Sequence, residues 1–307
     1  MAMQLSESTE PREVRIPVPW GFIAAKSWGK RDGYPIIAVH GTMDNAASFD
    51  GLAPLIPNKF HFLAIDLPGC GRSSHYPDGL PYHFVEMVSA IRRVVRYYEW
   101  ETCHYVGHSF GGMLGSFFAA MYPETVKKLV MIDIVQIRVS PIAFHSMAFR
   151  ANYERLFAVE SKTSGNQRPT YTKDELLKRM IASRTTRIGD RSAAALMSRC
   201  INNDSGEPGG YYLSIDQKGK ASVHVPLSSE LMCAVMQSIR CELLMVRASE
   251  SRGTFQLNGT PELVEVFRKC CSRFESVTVE GYHDVHMDHP ERVAPIVSKF
   301  LLGNSSL

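Results

Sequence analysis

Hydrophobic residues along the chain fall into two patterns that alternate. Short continuous runs are typical of buried parallel strands, and longer stretches with a hydrophobic residue every three or four positions are typical of helices. Two β-prone runs at 14–18 and 22–28, joined by a Pro-Trp-Gly turn, predict an antiparallel hairpin. Six further strands are predicted at 36–39, 61–65, 104–106, 129–134, 243–246 and 276–279. Helices are predicted at 48–55, 84–98, 111–121, 261–271 and 290–301. This order favours an α/β fold in which helices flank a mostly parallel central sheet.

An inserted segment interrupts the alternation between residues 138 and 232. It contains two helical runs, 142–157 and 173–182, with polar linkers and little strand signal. We therefore predict a core domain formed by 1–137 and 233–307, with a helical insertion at 138–232. Six side chains of the first run form one apolar face, which either packs against the core or contacts a ligand: Phe144, Met147, Phe149, Tyr153, Leu156 and Phe157.

The segment YVGHSFGG, residues 105–112, joins a predicted strand to a predicted helix. Gly107 and Gly111 lie two residues to either side of Ser109 and leave room for a sharp turn that exposes the serine hydroxyl. We therefore predict Ser109 as a nucleophile rather than an ordinary turn serine. The same turn puts the amide of Phe110 at the start of a helix, where unpaired N–H groups and the helix dipole can stabilise an oxyanion.

A second oxyanion donor is predicted after the strand at 36–39. There Gly41 lets the backbone fold back, and Thr42 can offer its N–H group. His40 precedes this glycine, and its position favours a role in bracing the loop over a role as a catalytic base.

Three histidines follow the last predicted strand, in the segment GYHDVHMDHP. Reactive groups in such sheets belong at the carboxyl ends of the strands. His283 comes first after the strand, and a histidine near the carboxyl terminus suits a serine that comes earlier, so we predict His283 as the base. His286 and His289 are predicted to pack the loop or to begin the following helix.

The acid that orients the imidazole is ambiguous in the sequence. The loop after the strand at 243–246 carries Glu250 but no aspartate. Asp133 directly follows the hydrophobic run 129–132. The sequence favours Asp133 and keeps Glu250 as the alternative acid, while Asp133 could also serve only to cap the insertion.

Composition excludes several classes of protein. The 34 basic and 31 acidic residues give a formal net charge of +3 without a long block of one sign, which argues against nucleic acid as a partner. Seven scattered cysteines, with no C-x-x-C spacing, fit neither a disulfide framework nor a zinc site and favour a reducing compartment.

Location is predicted from the ends of the chain and from its hydrophobic runs. Residues 1–15 lack the apolar stretch of a signal peptide, and no segment reaches the roughly 20 apolar residues of a membrane span. A cytoplasmic protein is therefore expected. The final Ser305-Ser306-Leu307 resembles the S-K-L peroxisomal address without its basic middle residue, which keeps a peroxisomal location open.

These motifs resemble the α/β-hydrolase superfamily and, within it, the serine hydrolase-like (Kraken) branch of animal proteins. The resemblance is carried by HGTMDNAASFD from residue 40, DLPGCGRSS from 66, GHSFGG from 107, LVMIDI from 129 and GYHDVHMDHPERVA from 281. It implies that the histidine seven residues before Pro290, which is His283, is catalytic. It also implies that the insertion at 138–232 is a helical cap, or lid, over the site.

The resemblance departs from the usual pattern at the acid. The usual position follows the seventh strand, where Glu250 or Ser251 stands here. A bacterial esterase group that resembles this chain carries its acid after the sixth strand, which implies Asp133. Dehalogenase and epoxide hydrolase relatives carry an aspartate nucleophile where Ser109 stands, so the resemblance disfavours those reactions.

The sequence thus predicts a serine hydrolase that cleaves a carboxylic ester or thioester with an apolar acyl group, through an acyl-enzyme. The partner is a small-molecule substrate, and the reaction requires no metal or organic cofactor. Two alternatives remain: a ligand-binding or regulatory protein with little turnover on the same fold, and a lyase that uses the same triad. The sequence does not indicate an oligomeric state.

Overall fold

The computed structural model of the protein describes residues 10–134, 145–163, 169–184, 186–204, 206–207, 209–221, 227–251 and 261–303. The tail Ser305-Ser306-Leu307 and Phe144 of the predicted apolar face lie outside the described residues. Among the described residues, no helix combines the length and the hydrophobicity needed to cross a membrane.

The strands and helices follow one another in the predicted alternation. The described strands are β1 (Arg12–Val18), β2 (Gly21–Gly29), β3 (Tyr34–Val39), β4 (Phe60–Ile65), β5 (Cys103–His108), β6 (Val126–Ile132), β7 (Ile201–Asn202), β8 (Tyr212–Leu213), β9 (Glu242–Ala248) and β10 (Arg273–Val279). The described α-helices are α1 (Phe84–Tyr97), α2 (Phe110–Met121), α3 (His145–Thr163), α4 (Lys173–Ala182), α5 (Asp190–Cys200), α6 (Ser229–Met236), α7 (Pro261–Cys270), α8 (Val285–Asp288) and α9 (Pro290–Leu302).

Eight of these strands form one sheet in the order β1-β2-β4-β3-β5-β6-β9-β10. The β1–β2 and β2–β4 pairs are antiparallel, and every pair from β4 to β10 is parallel. The predicted α/β architecture and its antiparallel edge are therefore confirmed. Because β5, β6 and β9 are neighbours with the same direction, their carboxyl ends lie side by side at one edge.

Both faces of the sheet are covered, as the continuous hydrophobic strands predict. Along β3, Ile37 and Val39 belong to a core shared with α1, α2, α6 and α7. The alternate residues Ile36 and Ala38 belong to a second core, shared with α9 and with two short 3-10 helices that follow β3. The strand period of two thus places each hydrophobic residue of β3 in one of two cores.

The helix predicted at 48–55 is wrong. The structure has two separate 3-10 helices there, Ala46–Phe49 and Ala53–Leu55. The side chain of Asn45 accepts a hydrogen bond from the amide of Ala47 and fixes the start of the first one. Pro54 lacks the amide hydrogen that a continuous α-helix would need. A separate 3-10 helix therefore begins at Ala53, with the proline in its first turn.

The part of the chain between β6 and β9, called here the β6–β9 segment, carries α3 to α6. It also contains the antiparallel pair β7–β8, which the sequence did not predict because each strand has only two residues. The predicted apolar face of α3 is mostly not buried: Leu156 packs inside, whereas Met147, Tyr153 and Phe157 are exposed. The boundaries of the insertion, residues 138 and 232, remain a prediction.

Five buried histidines have lowered pKa values because burial disfavours the charged imidazolium. Burial is the largest cause for each of them. The pKa falls to about 4 for His61 and to about 3 for His104 and His108, and it is also lowered for His40 and His286. The unfolded chain therefore binds more protons than the folded chain below pH 6.5, so this contribution to stability is complete above that pH and is lost on acidification.

We expect the free energy of unfolding to fall steeply between pH 7 and pH 5. His104→Phe should reduce that fall by about 2 kcal/mol, because one buried imidazole no longer has to be protonated on unfolding. The ring of His104 already contacts the rings of Tyr34 and Phe60, so phenylalanine suits the site. Urea unfolding at both pH values measures the difference, and an unchanged fall would contradict the assignment.

Candidate active site

Ser109 lies at the turn between β5 and α2, where the sequence predicts a nucleophile. Its backbone has φ 50° and ψ −119°, a conformation that residues other than glycine rarely adopt. The Ser109 amide donates to the carbonyl of Ile132 at 2.9 Å, which ties the turn to the end of β6. Ser109 is buried, and it lines a cavity.

The two flanking glycines are required by close backbone contacts. A Cβ atom on Gly107 would lie 2.4 Å from the carbonyl oxygen of Gly111. A Cβ atom on Gly111 would lie 2.0 Å from the carbonyl oxygen of Val39. The G-x-S-x-G pattern therefore has a steric cause: the start of α2 presses against the start of its own turn and against the end of β3.

The loop after β3 lies beside this turn. Thr42, one of the two predicted oxyanion donors, lines the same cavity as Ser109. Phe110, the other, begins α2 and is half-buried, and it is not among the residues that line the cavity. His40 braces the loop as predicted: its Nδ1 bonds the carbonyl of Gly41 at 2.7 Å, and its Nε2 accepts from the Leu67 amide at 3.0 Å.

His283 and Asp133 meet at the carboxyl edge of the sheet. The Nδ1 atom of His283 donates to Oδ2 of Asp133 at 2.7 Å, and both residues are buried. Asp133 follows β6 with φ 50°, and its Oδ1 accepts from the Ala248 amide at 2.9 Å. His283 lines the cavity together with Ser109. The structure thus brings Ser109, His283 and Asp133 to one place from the ends of three different strands.

Glu250, the alternative acid, lies in the loop after β9 and is exposed to solvent. The neighbouring Ser251 is buried, and its hydroxyl donates to Oδ2 of Asp133 at 2.5 Å. A serine therefore stands in the loop where the resemblance expects the acid, and it holds the carboxylate that reaches over from β6.

A stack of buried histidines lies behind His283. The ring centroid of His108 is 4.7 Å from that of His283 and 4.1 Å from that of His286. Burial, and then the proximity of His283, lower the pKa of His108 to about 3, so its imidazole is neutral at pH 7. Its Nε2 donates to the backbone carbonyl of His283 at 3.0 Å. His286 is buried in the short helix α8, and His289 immediately precedes α9.

Two buried carboxylates lie next to this stack. Asp44, Asp284 and His108 have ligand-type atoms within 4.8 Å of one another, a group with the residue types of a metal site. The positive charge between the carboxylates, however, is the guanidinium of Arg184, which donates to Asp44 at 2.6 Å and to Asp284 at 2.8 Å. Burial alone would raise the pKa of Asp44, but Arg184 outweighs burial and lowers it. Burial keeps the pKa of Asp284 raised.

The cavity has a volume of about 400 Å³. One wall comes from the loops at the carboxyl edge of the sheet and includes Thr42, Ser109 and His283. Its opposite wall comes from the β6–β9 segment and is mixed: the polar residues Ser183, Arg184, Thr186, Gln217 and Lys220 lie there beside an equal number of apolar ones. The apolar lining residues there are Met180, Leu196, Cys200, Leu213 and Ile215.

Comparison with known proteins agrees with this architecture. A family model described as the alpha/beta hydrolase fold matches residues 34–290. The chain belongs to the alpha/beta hydrolase family. It is 34% identical over 300 residues to a protein named probable serine hydrolase from Drosophila melanogaster, covering 97% of this chain and 90% of that protein. It is 32% identical to human serine hydrolase-like protein 2, covering 97% of each.

A solved structure of a hypothetical protein from Pseudomonas aeruginosa PAO1 has the same fold. It superposes with a TM-score of 0.82 at 24% sequence identity and covers 95% of this chain and 99% of that one.

Two features of this hydrolase site were missed from the sequence. Ser251 carries a visible signal, since a small polar residue stands where the acid is absent. The pairing of Arg184 with Asp44 and Asp284 has no local signal, because its partners are 140 and 100 residues away. Only the folded chain brings these three residues together.

Ser251→Ala tests the support of the carboxylate. Removing the hydroxyl leaves the buried Asp133 with one donor fewer, and we expect the free energy of unfolding at pH 7 to fall by about 1.5–3 kcal/mol. Glu250→Gln is the matched control, because it changes the exposed neighbour, and it should alter stability by less than about 0.5 kcal/mol. Equal effects in urea unfolding would contradict the role of Ser251.

Proposed function

We propose that this alpha/beta hydrolase is a serine hydrolase that cleaves a carboxylic ester or thioester. The observation that carries the proposal is the 2.7 Å hydrogen bond between His283 Nδ1 and Asp133 Oδ2, in a cavity that His283 lines together with Ser109. Asp133 is the proposed acid. It fixes the tautomer in which Nε2 of His283 carries no proton and can accept one, and it stabilises the imidazolium that then forms.

In the proposed reaction, Oγ of Ser109 attacks the carbonyl carbon of the substrate while its proton passes to Nε2 of His283. The amides of Thr42 and Phe110 are the proposed donors to the oxyanion. Collapse of the tetrahedral intermediate breaks the bond to the leaving group, which takes the proton from His283. Water, deprotonated by His283, then cleaves the acyl-enzyme and regenerates the serine.

The apolar residues in the opposite wall of the cavity are the reason to propose a substrate with an apolar acyl group. Five side chains of the β6–β9 segment contribute apolar atoms there, and burial of a hydrocarbon chain against them is favourable by about 25 cal/mol per Å². We therefore expect esters and thioesters of apolar acids to be better substrates than amides, because their better leaving groups depart more readily.

The same wall supports a role for residues 138–232 as a cap. Core residues hold this segment at several points. Asp288, the last residue of α8, accepts from the amide of Gly189 and the hydroxyl of Ser192 at the start of α5. Arg199 of α5 is buried and bonds both carboxylate oxygens of Asp66 at 2.9 Å. These contacts support a cap that is held against the core beside the cavity.

A fluorophosphonate probe tests the nucleophile. The proposal predicts that the purified protein gains one probe adduct, seen by intact mass, and hydrolyses p-nitrophenyl esters. Ser109→Ala should lose the adduct and lower turnover by at least about 1,000-fold, since it removes the attacking oxygen. A wild-type protein that is folded, unlabelled and inert would overturn the proposal in favour of a ligand-binding protein. Ester turnover that survives in Ser109→Ala would assign the chemistry to another group.

The acid is tested by comparing Asp133→Asn with Glu250→Gln. Asp133→Asn keeps the shape of the side chain but favours the wrong tautomer of His283, and we expect kcat to fall by about 1,000-fold to 10,000-fold. Glu250→Gln should change kcat less than about twofold. The reverse order, measured with one p-nitrophenyl ester at pH 7.5, would make Glu250 the acid.

A further inference from the structure

Arg184 connects two loops that do not otherwise share a charged partner in the described structure. It follows α4 within the β6–β9 segment, and its two terminal nitrogens donate to Asp44 at 2.6 Å and to Asp284 at 2.8 Å. Thr186, two residues further on, donates to the second oxygen of Asp284 at 3.2 Å. The side chains of both aspartates are almost fully buried.

Each carboxylate belongs to a loop that carries a residue of the proposed reaction. Asp44 lies two residues after Thr42, in a tight turn in which the Asp44 amide donates to the carbonyl of Gly41 at 3.2 Å. Asp284 directly follows His283. One planar guanidinium therefore spans the loop of the proposed oxyanion donor and the loop of the proposed base. A fork of this kind can hold two carboxylates in fixed directions, which an ammonium group cannot do.

The contacts beneath the arginine are tight. A Cβ atom on Gly41 would lie 2.9 Å from His108 Nδ1 and 3.0 Å from the carboxylate of Asp44. His108 in turn bonds the carbonyl of His283 and lies 3.9 Å from Asp284. A shift of either loop is therefore transmitted to the backbone of His283.

We propose that Arg184 is a positioning residue, which holds the Thr42 loop and the His283 loop in register and so makes the site complete only when the β6–β9 segment is seated. The inference rests on the proposed function. Arg184 takes no part in bond making. It acts through Asp44 and Asp284 on the distance between the oxyanion donors and the imidazole.

Arg184→Ala and Arg184→Lys test this role against Arg187→Ala. Arg187 lies in the same stretch of chain but is exposed and packs over the ring of Tyr282. For Arg184→Ala we expect kcat to fall about 100-fold with KM changed less than threefold, since misplacement by about 1 Å costs that much. Arg184→Lys should recover less than a tenth of the loss, because lysine cannot bridge both carboxylates. Arg187→Ala should behave as wild type.

Chemical rescue and a pH profile separate positioning from a purely structural role. Guanidinium chloride at tens of millimolar should restore the kcat of Arg184→Ala at least tenfold, whereas sodium chloride at the same ionic strength should not. The acidic limb of kcat/KM should move to higher pH, since two unpaired carboxylates favour the imidazolium. The ionisable groups around His283 are Asp133, His108, Asp284, His286, Asp44 and Arg184.

A variant with the charges removed keeps the test decisive if Arg184→Ala fails to fold. Arg184→Met combined with Asp44→Asn and Asp284→Asn leaves no buried carboxylate unpaired, so it should keep near-wild-type thermal stability. The inference requires that this triple variant remain at least 30-fold slower than wild type, because the bridge is gone. A wild-type kcat in the triple variant would mean that Arg184 only neutralises the two carboxylates, and it would overturn the inference.

The two proposals fail in different ways. A folded wild type without labelling or turnover overturns the proposed function and, with it, the positioning role. An active wild type that depends on Ser109, paired with an Arg184→Ala variant of unchanged kcat and pH profile, overturns the positioning role alone.

Discussion

The structure of the site depends on the sharp turn at Ser109. A non-glycine residue at φ 50° costs about 1–3 kcal/mol, and such a residue persists only where its surroundings over-determine it. Here the start of α2 leaves no room for a Cβ atom at Gly107, and the end of β3 leaves none at Gly111. The end of β6 holds the turn through the hydrogen bond from the Ser109 amide to the carbonyl of Ile132. The turn is therefore imposed by the packing of three neighbouring strands and a helix, and the position of the hydroxyl follows from the sheet itself.

The proposed acid, Asp133, lies after β6 at the same edge of the sheet as His283. In the strand order, β6 lies between β5, which leads to Ser109, and β9. A carboxylate after β6 thus lies between the strand that leads to Ser109 and the strands that lead to His283. Asp133 reaches His283 through its own turn of positive φ, and the amide of Ala248 and the hydroxyl of Ser251 support it from the β9 side. In this chain, the end of β9 and the loop after it provide hydrogen-bond donors to the Asp133 carboxylate rather than a carboxylate of their own.

The fold could be predicted from the sequence, and so could the positions of the proposed nucleophile and base at the edge of the sheet, because each leaves a local signal. Continuous strands, the G-x-S-x-G turn and the first histidine after the last strand are patterns within a few residues. The acid could be narrowed only to Asp133 or Glu250, since the choice depends on which side chain is buried. The helix predicted at 48–55 is wrong because the spacing of hydrophobic residues takes no account of the missing amide donor of Pro54. The Arg184 contacts carry no pattern, because sequence order does not reveal pairs separated by 100 residues or more.

The charges around the cavity make the core and the β6–β9 segment interdependent. The core supplies the buried carboxylates of Asp44, Asp66 and Asp284, and the segment supplies Arg184 and Arg199. A buried carboxylate without a partner is strongly destabilising, so the carboxyl edge of the sheet is adapted to a segment that stays in place. The apolar residues that line the cavity, such as Met180 and Leu196, belong to that same segment. The segment therefore contributes both to the lining of the cavity and to the neutralisation of the buried carboxylates of the core.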